Sequence, residues 1–177
     1  MAAHTRSLGW LWPATAAVSD ADWEALYARE LPRIYNFFRY RVGDGAIAED
    51  LTSTTFEKAW RGRERYRRDL AKFSTWLYAI ARNVATDHYR RSRVEVSIDE
   101  ALDTPAGATP EDEAVQRSDF SRLSVLLAEL PPRDREVLAL KYGAEKSNRE
   151  IASLTGLSES NVGTIVHRAV AALRSKW

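Results

Sequence analysis

The sequence predicts an all-α protein made of two small helical domains joined by an acidic, flexible linker. Apolar residues recur at helical spacing through most of the chain, and no segment shows the alternation that is typical of a half-buried strand. Residues 95–117 interrupt this pattern with Pro105, Gly107, Pro110 and many acidic side chains. We therefore expect four parts: a disordered tail at 1–18, an N-terminal domain at 19–94, the linker at 95–118 and a C-terminal domain at 119–177.

Three helices are predicted in the N-terminal domain. The first begins near Ser19 or Asp20, and Pro32 is expected to break or kink it because proline lacks a backbone donor and clashes with the preceding turn. The second covers about residues 46–61, and the third begins at the capping residue Ser74 and reaches about Arg91. The inward side of the second helix is expected to hold Ile47, Leu51, Phe56, Ala59 and Trp60, and its polar side to hold Glu49, Asp50, Thr52, Ser53 and Lys58.

The C-terminal domain is predicted to end in a helix-turn-helix motif over residues 148–168. Ser147 is followed three residues later by Glu150, which is a capping-box pattern, and Gly156 supplies the left-handed residue that a turn needs. Ser158 is expected to cap the second helix. Polar side chains on the outer face of that helix can hydrogen-bond base edges and phosphates in a major groove; they are Glu159, Ser160, Asn161, Thr164, His167 and Arg168. The alternative is a helical hairpin without a ligand.

Composition excludes several classes of protein. The 177 residues include no cysteine, so neither a disulfide framework nor a zinc finger is expected, and an intracellular setting fits. The three histidines are too scattered in the sequence to suggest a metal cluster. No apolar run approaches the roughly 18 residues of a membrane span, and the N-terminus makes a poor signal peptide. We therefore expect no cofactor, no metal site and no membrane insertion.

Charge is unevenly distributed although the net charge is only +1. Residues 58–93 contain eleven Lys and Arg against three Asp and Glu, whereas residues 95–119 contain eight acidic residues and one Arg. The basic block alternates with aromatic residues, and cations mixed with aromatic rings are what single-stranded nucleic acids bind. A solvated basic face is the simpler alternative.

Three stretches resemble the small two-domain bacterial sigma factors of the extracytoplasmic-function (ECF) group, in the sigma-70 family. They are AEDLTSTTFEKAW at 48–60, FSTWLYAIARNVATDHYRR at 73–91 and LPPRDREVLALKY at 130–142, which leads into the helix-turn-helix. The resemblance covers roughly residues 22–175. It implies that the N-terminal domain is sigma region 2 and the C-terminal domain is region 4.

The resemblance also implies a function and partners. Sigma factors of this group bind core RNA polymerase through its β′ clamp and β flap, and they direct it to promoters. Region 2 melts the −10 element and reads it as a single strand, and region 4 reads the −35 element as duplex. The resemblance leaves open whether an anti-sigma factor regulates the chain. It places the protein in the cytoplasm, with the nucleoid.

Three sets of residues take on roles through the resemblance. Asn83 matches the asparagine that captures a flipped −10 base, and Val166 stands where the family usually has a basic residue, so His167 and Arg168 are expected to supply those contacts. The polymerase-binding set is Glu49, Asp50, Leu51, Ser53, Thr54 and Phe56. The −10 set is Lys72, Phe73, Trp76, Arg82, Asn83, Thr86, Asp87 and Arg90, and the −35 set is Ser158, Ser160, Asn161, Thr164, His167 and Arg168.

Simpler, non-functional interpretations of these residues are also possible. Asn83 could be an ordinary surface residue, Trp76 could belong to the core, and Asp50 could be a solvated acid. A stand-alone helix-turn-helix regulator is the alternative function, but it would need a dimerisation helix or a ligand domain, and the sequence predicts neither. An enzyme acting on nucleic acid would need a carboxylate cluster or a nucleophile, and no such pattern is present, so no catalytic residue is predicted.

Overall fold

A computed structural model describes residues 20–66, 70–96 and 111–177, and within them the chain forms seven α-helices and no strand. The all-α prediction is confirmed. The predicted tail, Trp10 and Trp12 within it, and linker residues 97–110 lie outside the described residues. The helices are α1 (Asp20–Val42), α2 (Gly45–Gly62), α3 (Phe73–Val96), α4 (Glu111–Ala128), α5 (Pro132–Leu138), α6 (Asn148–Thr155) and α7 (Glu159–Arg174), with a 3-10 turn at Arg63–Arg65 and a π-helical turn at Ala139–Gly143.

The structure differs from two expectations about the N-terminal helices. Helix α1 continues across Pro32 without a break, because Ile34, Phe37 and Phe38 beyond it are fully buried and tertiary packing outweighs local propensity. Helix α3 begins at Phe73, so Ser74 lies inside the helix rather than capping it, and the helix continues past Arg91 to Val96.

Helix α2 differs from its predicted faces at three positions. Asp44 caps the helix, and its carboxylate accepts a hydrogen bond from the Ile47 backbone N–H at 2.8 Å. Thr52, predicted on the polar side, is buried, and its hydroxyl donates to the Ala48 carbonyl at 2.7 Å. Satisfying the hydroxyl within the helix lets a threonine replace an apolar residue in the core. Ile47 and Trp60, predicted inside, are more than one-third exposed.

The C-terminal domain contains the predicted helix-turn-helix. Ser147 and Glu150 form the reciprocal capping box at the start of α6, and Gly156 adopts the left-handed conformation with φ 73°. Ser158 caps α7, whose apolar side buries Val162 and Ile165. Helix α4 begins at Glu111, where the linker was expected to hold at most a helical turn starting at Pro110-Glu111, and it continues into the C-terminal domain to Ala128.

A single cluster of buried apolar side chains runs through both domains. It joins Phe37 of α1 and Tyr78 of α3 to Leu140 in the π-helical turn and Ile151 of α6. Each fully buried aliphatic or aromatic side chain contributes about 1.5–3 kcal/mol relative to exposure. The helix-turn-helix is therefore packed against the N-terminal domain, and this contact determines which polar surfaces remain accessible.

Candidate nucleic-acid and protein-binding surfaces

The outer face of α7 is exposed to solvent, although the two domains pack against each other. Ser160, Asn161, Thr164 and His167 are all exposed. The Thr164 hydroxyl donates to the Ser160 carbonyl at 3.1 Å, which fixes its orientation along the helix. The Ser158 hydroxyl accepts the Asn161 backbone N–H at 3.2 Å, so Ser158 holds the start of the helix. The predicted −35 residues thus share one polar surface.

Arg168 combines exposure with a structural contact that the sequence did not indicate. Its Nη2 donates to Asp134 Oδ2 at 2.8 Å, across the gap between α7 and α5. The Asp134 side chain is 8% exposed and the Arg168 side chain 64% exposed. One edge of the guanidinium thus neutralises the buried Asp134 carboxylate, while the rest of the group faces solvent. Arg168 can therefore both join α7 to α5 and offer a positive charge at the surface.

A second polar surface lies along α3. Asn83 and Thr86 are exposed, and the Thr86 hydroxyl donates to the Arg82 carbonyl at 2.9 Å. Asp87 lies between two cations, with Lys58 Nζ at 3.8 Å and Arg90 Nη2 at 3.3 Å. Lys72 is exposed just before the helix begins. These −10 candidates form a surface with both hydrogen-bonding groups and positive charge.

Arg82 was predicted with the −10 residues, but its contacts differ from those of the other residues on this surface. Its Nε donates to Glu136 Oε1 of α5 at 2.7 Å, and its Nη1 donates to the backbone carbonyl of Leu154 in α6. Its side chain is 28% exposed. In this structure the guanidinium is therefore directed at the C-terminal domain and away from Asn83 and Thr86.

Aromatic rings pack together at the start of α3. Phe73 is buried and lies 5.6 Å from Trp76 and 5.8 Å from Trp23, measured between ring centroids. The Tyr66 ring lies 5.1 Å from Trp76, and the Tyr66 hydroxyl donates to the Ala71 carbonyl at 2.9 Å. Phe73 is thus a core residue of this cluster, whereas Trp76 is only half-buried and presents part of its ring to solvent.

A groove of about 580 Å³ separates α1 from α2. Phe56 packs edge-to-face on Tyr27 with centroids 4.6 Å apart, which closes the base of the groove with aromatic rings. The residues around the groove are Tyr27, Leu31, Pro32, Tyr35, Glu49, Thr52, Ser53 and Phe56. The four on α1 were not among the predicted site residues, because no binding role was assigned to any residue of the first helix.

The predicted polymerase-binding residues divide between this groove and the core. Glu49, Ser53 and Phe56 line the groove, and Asp50 is exposed on the same helix. Leu51 is buried and Thr54 is half-buried, and both line a second, smaller cleft between α2 and α3. Three of the six predicted polymerase-binding residues therefore line the groove.

Neither a metal site nor a membrane span is found among the described residues. Within that part of the chain, His, Asp and Glu side chains do not gather in groups of three or more that could hold a metal ion. No helix there is long and apolar enough to cross a membrane.

Comparison with known proteins identifies the family. Residues 26–94 match Sigma-70 region 2, and residues 120–173 match Sigma-70, region 4. The RNA polymerase sigma factor CarQ of Myxococcus xanthus is 36% identical over 156 residues, which cover 85% of this chain and 86% of CarQ. The chain belongs to the sigma-70 family, in its ECF group.

Other relatives agree with this assignment. ECF sigma factor SigL of Mycobacterium tuberculosis is 31% identical over 161 residues, with 90% of each chain covered. ECF sigma factor BldN of Streptomyces coelicolor is 34% identical over 162 residues, which cover 89% of this sigma factor but only 61% of the length of BldN.

Solved structures confirm the fold. The sigma factor RpoE of Bartonella quintana, in complex with the anti-sigma factor NepR, superposes with a TM-score of 0.67 at 22% identity and covers 87% of this chain and 95% of RpoE. CnrH, in complex with the cytosolic domain of CnrY, also gives 0.67, at 23% identity, and covers 89% of this chain and 88% of CnrH. Helices α1–α3 of this sigma factor lie mainly within the region 2 match and α5–α7 within the region 4 match.

Proposed function

We propose that this sigma factor binds core RNA polymerase, directs it to specific promoters and helps to melt the −10 element. One observation carries this proposal: a single chain presents two different polar helix faces, on α3 and α7. The α3 face begins at an aromatic cluster, which suits unpaired bases, and the α7 face belongs to a helix-turn-helix, which suits a major groove. A chain that offers both can bind melted and duplex DNA at the same promoter.

We assign the −35 contact to the outer face of α7. Ser160, Asn161 and Thr164 carry small polar groups that can reach base edges, and His167 and Arg168 lie further along the same face. Because Arg168 already neutralises Asp134, a phosphate contact suits its exposed edge better than a bidentate base contact. Ser158 acts by capping the helix, which directs the α7 N-terminus towards the groove.

The −10 contact is assigned to α3. Extruding a base from the stack costs a few kcal/mol, which the protein must offset with hydrogen bonds, stacking and phosphate neutralisation. Asn83 offers both a donor and an acceptor for a base edge, Trp76 offers a partly exposed ring, and Lys72 and Arg90 offer charge. Phe73 supports Trp76 from beneath, and Asp87 positions Arg90.

We assign polymerase docking to the groove between α1 and α2. Its aromatic floor and polar rim have the composition of a protein interface. Glu49 and Ser53 are at the rim, Phe56 is at the floor, and Asp50 extends the acidic surface along α2. The β′ clamp would occupy this groove, and the β flap would contact the C-terminal domain.

This function consists of binding, and the proposal gives the chain no catalytic step and no cofactor. It places the protein in the cytoplasm, with polymerase on the nucleoid. Because the similar sigma factor RpoE is found in complex with an anti-sigma factor, an anti-sigma factor is a candidate further partner of this chain.

Run-off transcription tests the proposal. Purified core polymerase is mixed with this protein and a library of genomic promoter fragments, and transcripts are sequenced. We expect defined start sites that depend on both components, and the Glu49→Arg variant should need a higher protein concentration to produce them. Transcripts that are the same with core polymerase alone would contradict the proposal. Nanomolar, sequence-specific binding of duplex DNA without core, together with no core-dependent transcript, would instead indicate a stand-alone regulator.

A further inference from the structure

Trp60, near the end of α2, keeps 38% of its surface exposed, although the helical pattern predicted it inside the domain. The ring is held from within by Trp23 of α1, which packs edge-to-face on it with the centroids 5.1 Å apart. An indole left partly in water forgoes part of the free energy of burial. The exposed part of this ring is therefore both rigidly placed and available to a ligand.

Arg63, in the 3-10 turn that follows α2, lies over the Trp60 ring, and we call these two residues the indole–guanidinium pair. The Arg63 Cζ is 3.6 Å from the ring centroid, which is within the range of a cation–π contact. Arg63 Nη1 also donates to the Trp60 backbone carbonyl at 3.0 Å, and this hydrogen bond lies at the surface. The guanidinium is thus fixed before a ligand binds, so binding costs little further side-chain entropy.

Positive charge surrounds the indole–guanidinium pair. Arg65 is exposed in the same 3-10 turn, and Lys72 is exposed just before α3. Glu64, between the two arginines of the turn, is the acid beside them. Cations therefore outnumber acids on this part of the described surface, which suits a polyanion such as nucleic acid.

The pair also adjoins the proposed −10 surface. Gly62 lies between its two residues in the sequence, and a Cβ atom added there would be 3.4 Å from Cζ2 of Trp76. The half-buried Trp76 ring therefore lies against the backbone that joins Trp60 to Arg63. A DNA strand that reaches Trp76 has the indole–guanidinium pair as its neighbour.

We propose that the indole–guanidinium pair is a second binding site for an unpaired DNA base, beside the site formed by Asn83 and Trp76. Aromatic rings and guanidinium planes both stack on nucleobases, and the nearby cations neutralise the phosphates on either side of the stacked base. This inference rests on the proposed function, because it takes the start of α3 as the place where the melted strand binds.

The two sites differ in how they select a base. The Asn83 amide can choose among bases, because its donor and acceptor must match one base edge. A stacking site accepts every base, since every base has a π-face, and it favours purines, whose rings are larger. The position held by the indole–guanidinium pair is therefore tolerant of base substitution and intolerant of the loss of the base.

Arg63→Lys is the variant that tests the stacking site, because it keeps the positive charge and removes the planar group. Arg61→Lys is its matched control: Arg61 is two residues away, its side chain is 76% exposed, and its Nη2 lies 2.6 Å from Glu57 Oε1. Trp60→Phe is a second variant, which keeps a smaller ring against Trp23. Circular dichroism and the affinity for core polymerase show that each variant is folded and assembles.

The measurement is the lifetime of reconstituted holoenzyme on a pre-melted promoter, with an abasic site placed at each −10-strand position in turn. On the intact strand, Arg63→Lys should shorten the lifetime at least about fivefold, the lower end of what one stacked base contributes. Trp60→Phe should have a smaller effect, and Arg61→Lys none. At one abasic position, different from the position that depends on Asn83, wild type should be as short-lived as Arg63→Lys, and the variant should have no further effect.

Several results would overturn the stacking site. They are an unchanged lifetime in Arg63→Lys, the same fractional loss on every abasic template, an equal loss in Arg61→Lys, and dependence on the same position as Asn83→Ala. Weaker binding of Arg63→Lys to core polymerase, without any dependence on position, would assign the pair to a protein contact instead. If Asn83→Ala depends on one position and Arg63→Lys on none, this inference alone fails, whereas the absence of any core-dependent transcript would remove the proposed function together with it.

Discussion

The two helices proposed to contact DNA, α3 and α7, differ in how their polar residues are held. On α7, Ser160, Asn161 and His167 face solvent, and the ion pair that Arg168 makes with Asp134 lies within the C-terminal domain. On α3, Asn83 is exposed in the same way, but Arg82 is bound across the domain interface by Glu136. Region 4 therefore presents its surface in the closed chain, whereas region 2 presents only part of its own.

This difference indicates an order of events at a promoter. If α7 reads duplex and α3 reads a single strand, as proposed, the exposed α7 surface can make the first contact and the α3 surface, part of which Arg82 directs at Glu136, can act later. Two weak contacts on one body gain affinity from each other only when both can be made together. We expect core polymerase to fix the spacing of the two surfaces and so to turn two weak contacts into one bivalent engagement.

Charge reversal on α2 should give the largest effect of the variants described here. It should also distinguish most clearly the proposed polymerase binding by the N-terminal domain from the proposed −35 binding by the C-terminal domain. Glu49→Arg and Asp50→Arg should each weaken binding to core polymerase at least about tenfold, or about 1.4 kcal/mol, because they place a cation in or beside the acidic rim of the groove. Binding to −35 duplex by the free protein should not change. Fluorescence anisotropy with labelled protein measures both affinities.

The control for this pair is Glu57→Arg, another exposed acid on α2 that lies outside the groove. It should bind core as the wild type does. Equal losses in all three variants would indicate a general charge effect, and no loss in Glu49→Arg would remove the groove from the docking surface.

Arg168→Ala should have two effects, whereas His167→Ala should have one. Removing Arg168 leaves the buried Asp134 carboxylate without its ion-pair partner, which costs about 1–3 kcal/mol of unfolding free energy. It should also weaken −35 duplex binding uniformly across sequences and reduce the salt slope by about one, as expected for a phosphate contact. Urea denaturation and salt-dependent anisotropy separate the two effects.

His167 has no such structural contact, so His167→Ala should weaken duplex binding at unchanged stability. Altered base preference in Arg168→Ala would reassign Arg168 to direct readout. If neither variant changed duplex affinity, another face of α7 would have to be the one that meets DNA.

Ser147→Ala should cost about 1 kcal/mol of unfolding free energy, because it removes the hydroxyl that caps α6. This variant tests whether the stability of region 4 depends on the local cap of α6. Thermal denaturation followed by circular dichroism measures the change. A loss below about 0.3 kcal/mol would show that packing against α7 holds α6 without its cap.

The same capping box predicts a pH dependence. Hydrogen bonds from the backbone N–H and hydroxyl of Ser147 lower the pKa of Glu150 below its ordinary value of 4.5. A lowered folded pKa means that this stabilisation is complete above about pH 4.5 and is lost as the pH falls through the folded value. The stability difference between wild type and Glu150→Gln should therefore shrink below pH 4.5, and a constant difference would contradict the capping role.

Local signals in the sequence were enough to predict the helix-turn-helix and the all-α fold. Ser147, Glu150, Gly156 and Ser158 each have a backbone role that depends only on near neighbours, so their pattern is visible without a structure. The continuation of α1 across Pro32 and the start of α3 one residue before Ser74 were less predictable, because local signals at these residues do not decide whether the helix continues.

The contacts between domains could not be predicted in this way. The partners Arg82 and Glu136 are 54 residues apart and Arg33 and Glu145 are 112 residues apart, and no periodicity joins them. No prediction was made for Gly143, because the close approach of the Asn36 backbone to this residue is visible only in the structure. The residues of the three binding surfaces are therefore located by the structure, and their functions stay predictions.

Asn83→Ala tests the central claim, that α3 reads the −10 element as a single strand. Because Asn83 is exposed and its side chain does not pack in the core, stability should change by no more than about 0.5 kcal/mol, and core and −35 binding should be unchanged. Permanganate footprinting of reconstituted holoenzyme should show weaker opening of the −10 region on duplex promoters. A pre-melted bubble should restore opening.

The decisive measurement is transcription by wild-type and Asn83→Ala holoenzyme on a set of single-base −10 variants. We predict that the variant loses base preference at one −10 position and keeps it at the others, on pre-melted as well as duplex templates. Wild-type discrimination at every −10 position would contradict base capture by Asn83 and return it to an ordinary surface residue.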